Sequence, residues 1–186
     1  MIKSPNLGRE EGLRVSVTTD AAEPISTADM KTYLKVDYSD DDDIIDELIT
    51  TARKMVENYI QRKVGSQTLK AYWTAYGKYV RLPFAPVNSV TTVKTIEKDN
   101  TETLTVNTDY FLLGDDQDKY LEMSTWGKIG LEVVYTAGYS TVPNEILIAI
   151  KRTVARYYEF RGDDVEDYSL DKMTRKILSP YRVPSI

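Results

Sequence analysis

Residues 25–64 constrain the fold most, because a capped short helix, an acidic turn and a long striped helix follow one another without a break. Ser26 with Asp29 three positions on makes a helix-capping pair, and Ile25 in front is placed to staple onto Met30. Six of the ten residues 37–46 are aspartate. Such a run repels itself and sits best in solvent at a helix start, where the peptide dipoles favour negative charge. Then Ile45, Leu48, Ala52, Met55 and Tyr59 recur at alternating spacings of three and four, flanked by Ile44, Ile49, Val56 and Ile60. One face of this helix is therefore broad and apolar, and it must pack against another element.

The second helix is expected to close on Arg62, Lys63 and Gly65. A partner stripe lies far downstream, where Pro143 fits a first turn and Ile146, Leu147, Ile150, Val154, Tyr157 and Tyr158 share a face up to about Arg161, with Gly162 as the stop. An acidic loop, 163–167, leads to a short helix over about 169–178, ended by Pro180. That helix carries Leu170, Met173, Ile177 and Leu178 on one side. Between the two striped helices the period changes to two. Leu69, Ala71, Trp73 and Ala75 alternate with polar neighbours, as do Leu131, Val133 and Tyr135, and further strands are expected at 78–82, 89–97, 102–106, 109–113 and 119–123. Lys98, Asp99 and Asn100, and Gly114, Asp115 and Asp116, supply hairpin turns.

The economical architecture is α+β: a small helical core of about four helices, with one small antiparallel β-sheet segment inserted between the second and third helices. The expected divisions are an N-terminal arm, 1–24, with a short strand at Leu13, Val15 and Val17; a helical core of 25–64 and 141–180; an inserted β region, 65–140; and an extended tail, 181–186. A chain of 186 residues buries roughly 70% of its unfolded surface and folds without staples.

Cysteine and histidine are both absent. Their absence removes thiolate and imidazole zinc sites, Ser-His-Asp triads, cysteine nucleophiles and histidine acid-base catalysis. The net charge of -5 argues against general affinity for nucleic acid, which depends on clustered Lys and Arg. No apolar run approaches the ~20 residues needed to span a bilayer, and residues 1–15 lack the apolar core and cleavage site of a secretory signal. The expectation is a soluble protein that stays in the cytoplasm and makes no membrane contact. Fourteen tyrosines against three phenylalanines give much of the aromatic surface a polar tip, which suits interfaces and half-buried strands alike.

Asp40 to Asp43 lack the alternation, central Gly and terminal Glu of a calcium loop, so a solvated helix start is expected and no metal or cofactor is assigned. Asp163, Asp164, Glu166 and Asp167 have no tuned base and no phosphate loop nearby, and read as a surface loop. Lys151, Arg152 and Arg156 put positive charge along the third helix, open to either plain solvation or a subunit contact. Tyr72, Trp73, Tyr76 and Tyr79 read as sheet packing, and Gly138 as a positive φ at a strand end. Beyond Pro180, Tyr181, Arg182 and Val183 offer an aromatic, a cation and an aliphatic group, a composition found in interface anchors.

The block from Ser26 through Leu34, Val36, Asp37, Asp40 to Asp43, Glu57, Tyr59 and Arg62 resembles the opening of the head-tail connector (adaptor) proteins of tailed double-stranded DNA bacteriophages and gene transfer agents. The likeness continues in LPFAPVNSVTTVK at 82–94, VYTAGY at 134–139, VPNEILIAI from 142 and LSPYR at 178–182. The resemblance implies a structural virion protein and no enzyme. Such a protein docks beneath the portal, forms a homo-oligomeric ring, twelvefold on the portal, that continues the DNA channel, and offers a docking surface to stopper or tail-completion proteins. DNA passes through the lumen without specific binding. The location implied is the virion neck, after assembly in the bacterial host cytoplasm. With the cations of the third helix added to the C-terminal piece, the residues expected at a portal or subunit interface are Lys151, Arg152, Arg156, Ile177, Leu178, Tyr181, Arg182 and Val183. Another neck or tail-completion protein is the nearest alternative, and a carboxylate-metal enzyme acting on nucleic acid is a more distant one.

Overall fold

The computed structural model describes residues 12–97, 100–127, 129–160 and 169–183. They fall into two compact units, one drawn from residues 1–21 and 66–138 and the other from 22–65 and 139–186. The chain is α+β, with its helices in the second unit and its antiparallel strands in the first.

The first unit holds β1 (Arg14–Thr19), β2 (Gln67–Ala75), β3 (Tyr79–Arg81), β4 (Val87–Glu97), β5 (Asn100–Thr103), β6 (Tyr110–Asp115), β7 (Asp118–Met123) and β8 (Ile129–Ala137). Where one small sheet was expected there are two. The larger has the order β1-β2-β8-β4-β5 and the smaller β3-β7-β6. Alternation along a strand shows which face is buried but not which ladder the strand joins. The strand expected in the N-terminal arm forms, and it pairs with β2, placing Val15 opposite Ala71. The β unit is thus assembled from two chain segments.

Inward residues of β2 and β8 meet in register, Leu69 opposite Tyr135, Ala71 opposite Val133 and Trp73 opposite Leu131, all fully buried. Val80, Leu121 and Met123 of the smaller sheet join the same core. The β6–β7 turn closes because Asp115 Oδ1 accepts from the backbone N–H groups of Gln117 and Asp118. Gly114 enables the approach: it sits at φ 86°, and a Cβ there would collide with the Asp118 carbonyl. Gly138, at φ 112°, fulfils the expectation of a positive φ beyond β8. β5 lies earlier than expected because Asn100 pairs directly with Glu97, leaving residues 105–109 to a turn in which Asp109 Oδ2 accepts from Thr105 N–H at 2.7 Å. Lys98 and Asp99 lie outside the described residues.

The second unit holds α1 (Thr27–Leu34), α2 (Asp42–Ile60), α3 (Asn144–Glu159) and α4 (Lys172–Leu178), followed by a 3-10 turn, Ser179–Tyr181. Ser26 caps α1 by accepting from Asp29 N–H, and its hydroxyl donates to the Asp29 carboxylate. Ile25 and Met30 enter one core with Ile45, Ile49, Ala52, Val56 and Ile60 of α2 and Ile146, Ala149, Ile150 and Val154 of α3. The centre of the buried face on α2 runs through Ile49 and Val56, while Leu48, Met55 and Tyr59 lie half-buried at its edge. Each fully buried Ile or Val contributes about 1.5–3 kcal/mol of apolar transfer.

Several helix ends differ from expectation. α2 stops at Gln61, left-handed at φ 56°, whose side-chain amide donates to the Asn58 carbonyl at 2.6 Å. Gly65 instead forms a bridge with Tyr139. Pro143 is the residue before α3, in extended geometry, and α3 ends at Glu159 with Phe160 as its cap. Arg161, Gly162 and the loop 163–167 lie outside the described residues. α4 begins late because Asp171 caps it, accepting from Thr174 N–H at 2.6 Å. Thr174 therefore takes the inward position, and Met173 is 55% exposed. Pro180 falls within the 3-10 turn.

A buried ion network crosses the end of α2. Arg53 donates to both oxygens of Glu23, at 2.9 and 3.0 Å, and to Glu57 at 3.4 Å. Glu57 also accepts from Val64 N–H at 3.0 Å and from Lys63 at 3.1 Å. No helix among the described residues is long and apolar enough to cross a membrane.

Candidate functional site

The residues assigned to an interface gather on α3, α4 and the segment after it. Arg152 pairs with Asp171 at 3.2 Å, and Arg156 donates to the Ser169 carbonyl at 3.1 Å, so both cations hold the start of α4 against α3. They line a cavity of about 10 Å³, room for one water. Burial pushes the Asp171 carboxyl up, but hydrogen bonds from Thr174 and the Arg152 guanidinium outweigh it and leave the group below its ordinary value. Lys151 lies over the Tyr33 ring, 5.9 Å from its centre.

Leu178 is fully buried in the helical core, and Ile177 is half-buried. The surface this end offers is that of Ile177, Tyr181, Arg182 and Val183. The segment is tied down at three points. Arg62 Nε donates to the Tyr181 carbonyl at 2.7 Å, the Tyr181 hydroxyl donates to Glu145 at 2.9 Å, and Val183 N–H donates to the Ile60 carbonyl at 3.0 Å. A hydrogen bond from its own backbone N–H, then that of Tyr181, holds the Glu145 carboxyl below its ordinary value. Arg182 lies over the Tyr59 ring at 5.4 Å. Beside it, Met55, Asn58, Tyr59, Ser169, Leu170 and Arg175 line an open groove of about 340 Å³. Residues 184–186 lie outside the described residues.

The sequence reading missed the acidic partners Asp171 and Glu145. The capping pattern of Asp171 with Thr174 three positions on was the available signal for the first; nothing local marks the second, which meets Tyr181 only through the fold.

The aspartates at the start of α2 take separate roles. Asp42 pairs with Lys31 at 2.6 Å, while Asp41 accepts from the hydroxyls of Tyr158 at 2.5 Å and Tyr38 at 3.3 Å. The hydrogen bond to Asp41, then one shared with the Tyr38 hydroxyl at 3.1 Å, pushes the Tyr158 phenol well up. Among the described residues no group of three or more acidic side chains is arranged to hold a metal ion. Asp163, Asp164, Glu166 and Asp167 lie outside the described residues. Trp73 and Tyr76 are buried in the β unit, as packing requires.

A family model described as "Head completion protein" matches residues 23–182. Among curated proteins, none matches. Of solved structures, a chain in the neck of an empty gene transfer agent particle, computed with C6 symmetry, is 18% identical with a TM-score of 0.78, over 93% of this chain and 97% of that one. A chain from the virion of a native gene transfer agent particle is 19% identical with a TM-score of 0.78, over 92% and 96%. A third, in a native particle neck computed with C12 symmetry, is 20% identical with a TM-score of 0.72, over 93% and 97%. The fold is shared across nearly the whole length of each. With the family pattern spanning both units, the chain belongs to the head completion protein family.

Proposed function

We propose that this protein is a structural component of a virion neck that docks beneath the portal, forms a ring continuing the DNA channel, and gives stopper or tail proteins their docking surface. The observation that carries the reading is the head completion match over residues 23–182. The solved neck chains, seen in particles computed with C6 and C12 symmetry, support a ring, twelvefold on the portal. The protein assembles in the bacterial host cytoplasm and then resides in the virion, and no bond is made or broken in its work. A net charge of -5 suits a channel wall, because a lumen that repels phosphate lets DNA slide without sticking.

The portal-facing residues are Ile177, Tyr181, Arg182 and Val183, on the exposed end of the helical unit. Lys151, Arg152, Arg156 and Leu178 support them, the two arginines by anchoring α4 and Leu178 from within the core. Co-sedimentation with portal rings tests this. The intact chain should pellet with the rings, and a Tyr181→Ala/Arg182→Ala variant should remain in the supernatant while keeping its helical signal. Equal pelleting of both would remove the tail from the contact.

A further inference from the structure

The helical unit carries two exposed patches of opposite charge, each built around an apolar side chain. On α4, Lys172 and Lys176 flank Met173 at helical spacings of one and three, and all three are exposed, Met173 at 55%. At the start of α2, Ile44 is 40% exposed and is surrounded at positions four before, one before and three after by Asp40, Asp43 and Glu47, with Tyr38 49% exposed nearby. None of these two lysines and three acids is engaged in an ion pair with a described residue. The neighbouring charges are paired within the unit: Asp42 with Lys31, Arg152 with Asp171.

The patches lie on separate elements, α4 and the start of α2. α4 is tied to the end of α2, where the Tyr59 hydroxyl donates to the Arg175 carbonyl. The acidic patch sits at the start of α2, a helix of nineteen residues and about 28 Å in length. No ion pair joins them among the described residues of one subunit, and two copies can bring them together. We infer that the Lys172–Met173–Lys176 face of one subunit docks on the Asp40–Asp43–Ile44–Glu47 face of the next copy, and that this head-to-tail contact repeats around the ring. Two different faces meeting in this way form a heterologous interface, which closes into a ring when the rotation permits. The complementary charges steer and orient the approach, while Met173, Ile44 and Tyr38 supply the buried apolar centre. The inference rests on the ring reading above and names its contact.

Charge exchange tests it with the full chain. Self-association is followed by mass photometry and sedimentation at low salt, with and without portal rings, for wild type and three variants: Lys172→Glu/Lys176→Glu, Asp43→Lys/Glu47→Lys, and all four substitutions together. Circular dichroism confirms that each folds. Each double variant should weaken association about tenfold or more. Mixing the two doubles should restore it in alternating rings, and so should the fourfold variant alone. Rings formed equally well by both doubles would overturn this interface and leave the ring reading intact. A lysine variant that self-associates normally but loses portal binding would give the face to the portal and also overturn it. A wild-type chain that stays monomeric throughout, portal included, would defeat the ring and this contact together.

Discussion

Removing the Glu57 carboxylate would take an acceptor from three donors at once: the Lys63 ammonium, the Val64 N–H and the Arg53 guanidinium, which keeps Glu23. The buried Val64 N–H is left without its acceptor while Arg53 stays paired with Glu23, so Glu57→Ala is expected to cost about 1–3 kcal/mol, read as a lowered midpoint in urea unfolding. Asp40→Asn, at an exposed carboxylate, should stay within about 0.5 kcal/mol. The sequence marks Glu57 within a recognisable pattern but not the reason for it, because Glu23 and Arg53 are thirty residues apart and meet only when the chain folds. Asp171 and Glu145 carry a pH signature. Both carboxyls lie below their ordinary values of 3.8 and 4.5, so the unfolded chain takes up these protons more readily. Their stabilisation is complete above the ordinary values and is lost as the pH falls through the folded ones. Unfolding followed from pH 6 downwards should show a shallower acid loss in Asp171→Asn/Glu145→Gln than in wild type. Parallel curves would show that neither carboxyl is linked to folding.

Elements with a long period were legible in advance, and elements defined by their ends or neighbours were not. The stripes of α2 and α3 need only spacing to be seen, and both pack as expected. Gln61 as a left-handed stop, Pro180 inside a 3-10 turn and Met173 facing outward each depend on hydrogen bonds that spacing does not encode. The tail shows the difference most clearly. Composition suggested an extended interface anchor, yet three hydrogen bonds hold it to Ile60, Arg62 and Glu145. A chain ending at Leu178 should therefore lose about 1.5–4.5 kcal/mol, at about 0.5–1.5 kcal/mol per bond. Differential scanning calorimetry would register this as a lower melting temperature; an unchanged one would mean that the bonds do not hold in solution.

At the scale of the whole molecule, the two units have separate cores, one built on Trp73, Tyr135 and Leu121 and the other on Ile49, Val56 and Ile150. Because β1 pairs with β2, the sheet unit includes residues before α1, and a helical fragment must lose both segments. Residues 22–65 joined by a short Gly/Ser linker to 139–186 should remain helical and melt cooperatively. Loss of all helicity by circular dichroism would show that the helical core depends on the sheets. The order of sequence phrases from Ser26 to Arg182 pointed to the family, while the inferred ring contact rests on the exposure of α4 and of the start of α2, which spacing alone does not give. The central claim, that this chain builds a ring on a portal, is tested most directly by native mass spectrometry of the chain bound to purified portal rings. The account predicts one dominant complex with twelve copies per portal; no bound copies, or a spread of ratios without a dominant ring, would contradict it.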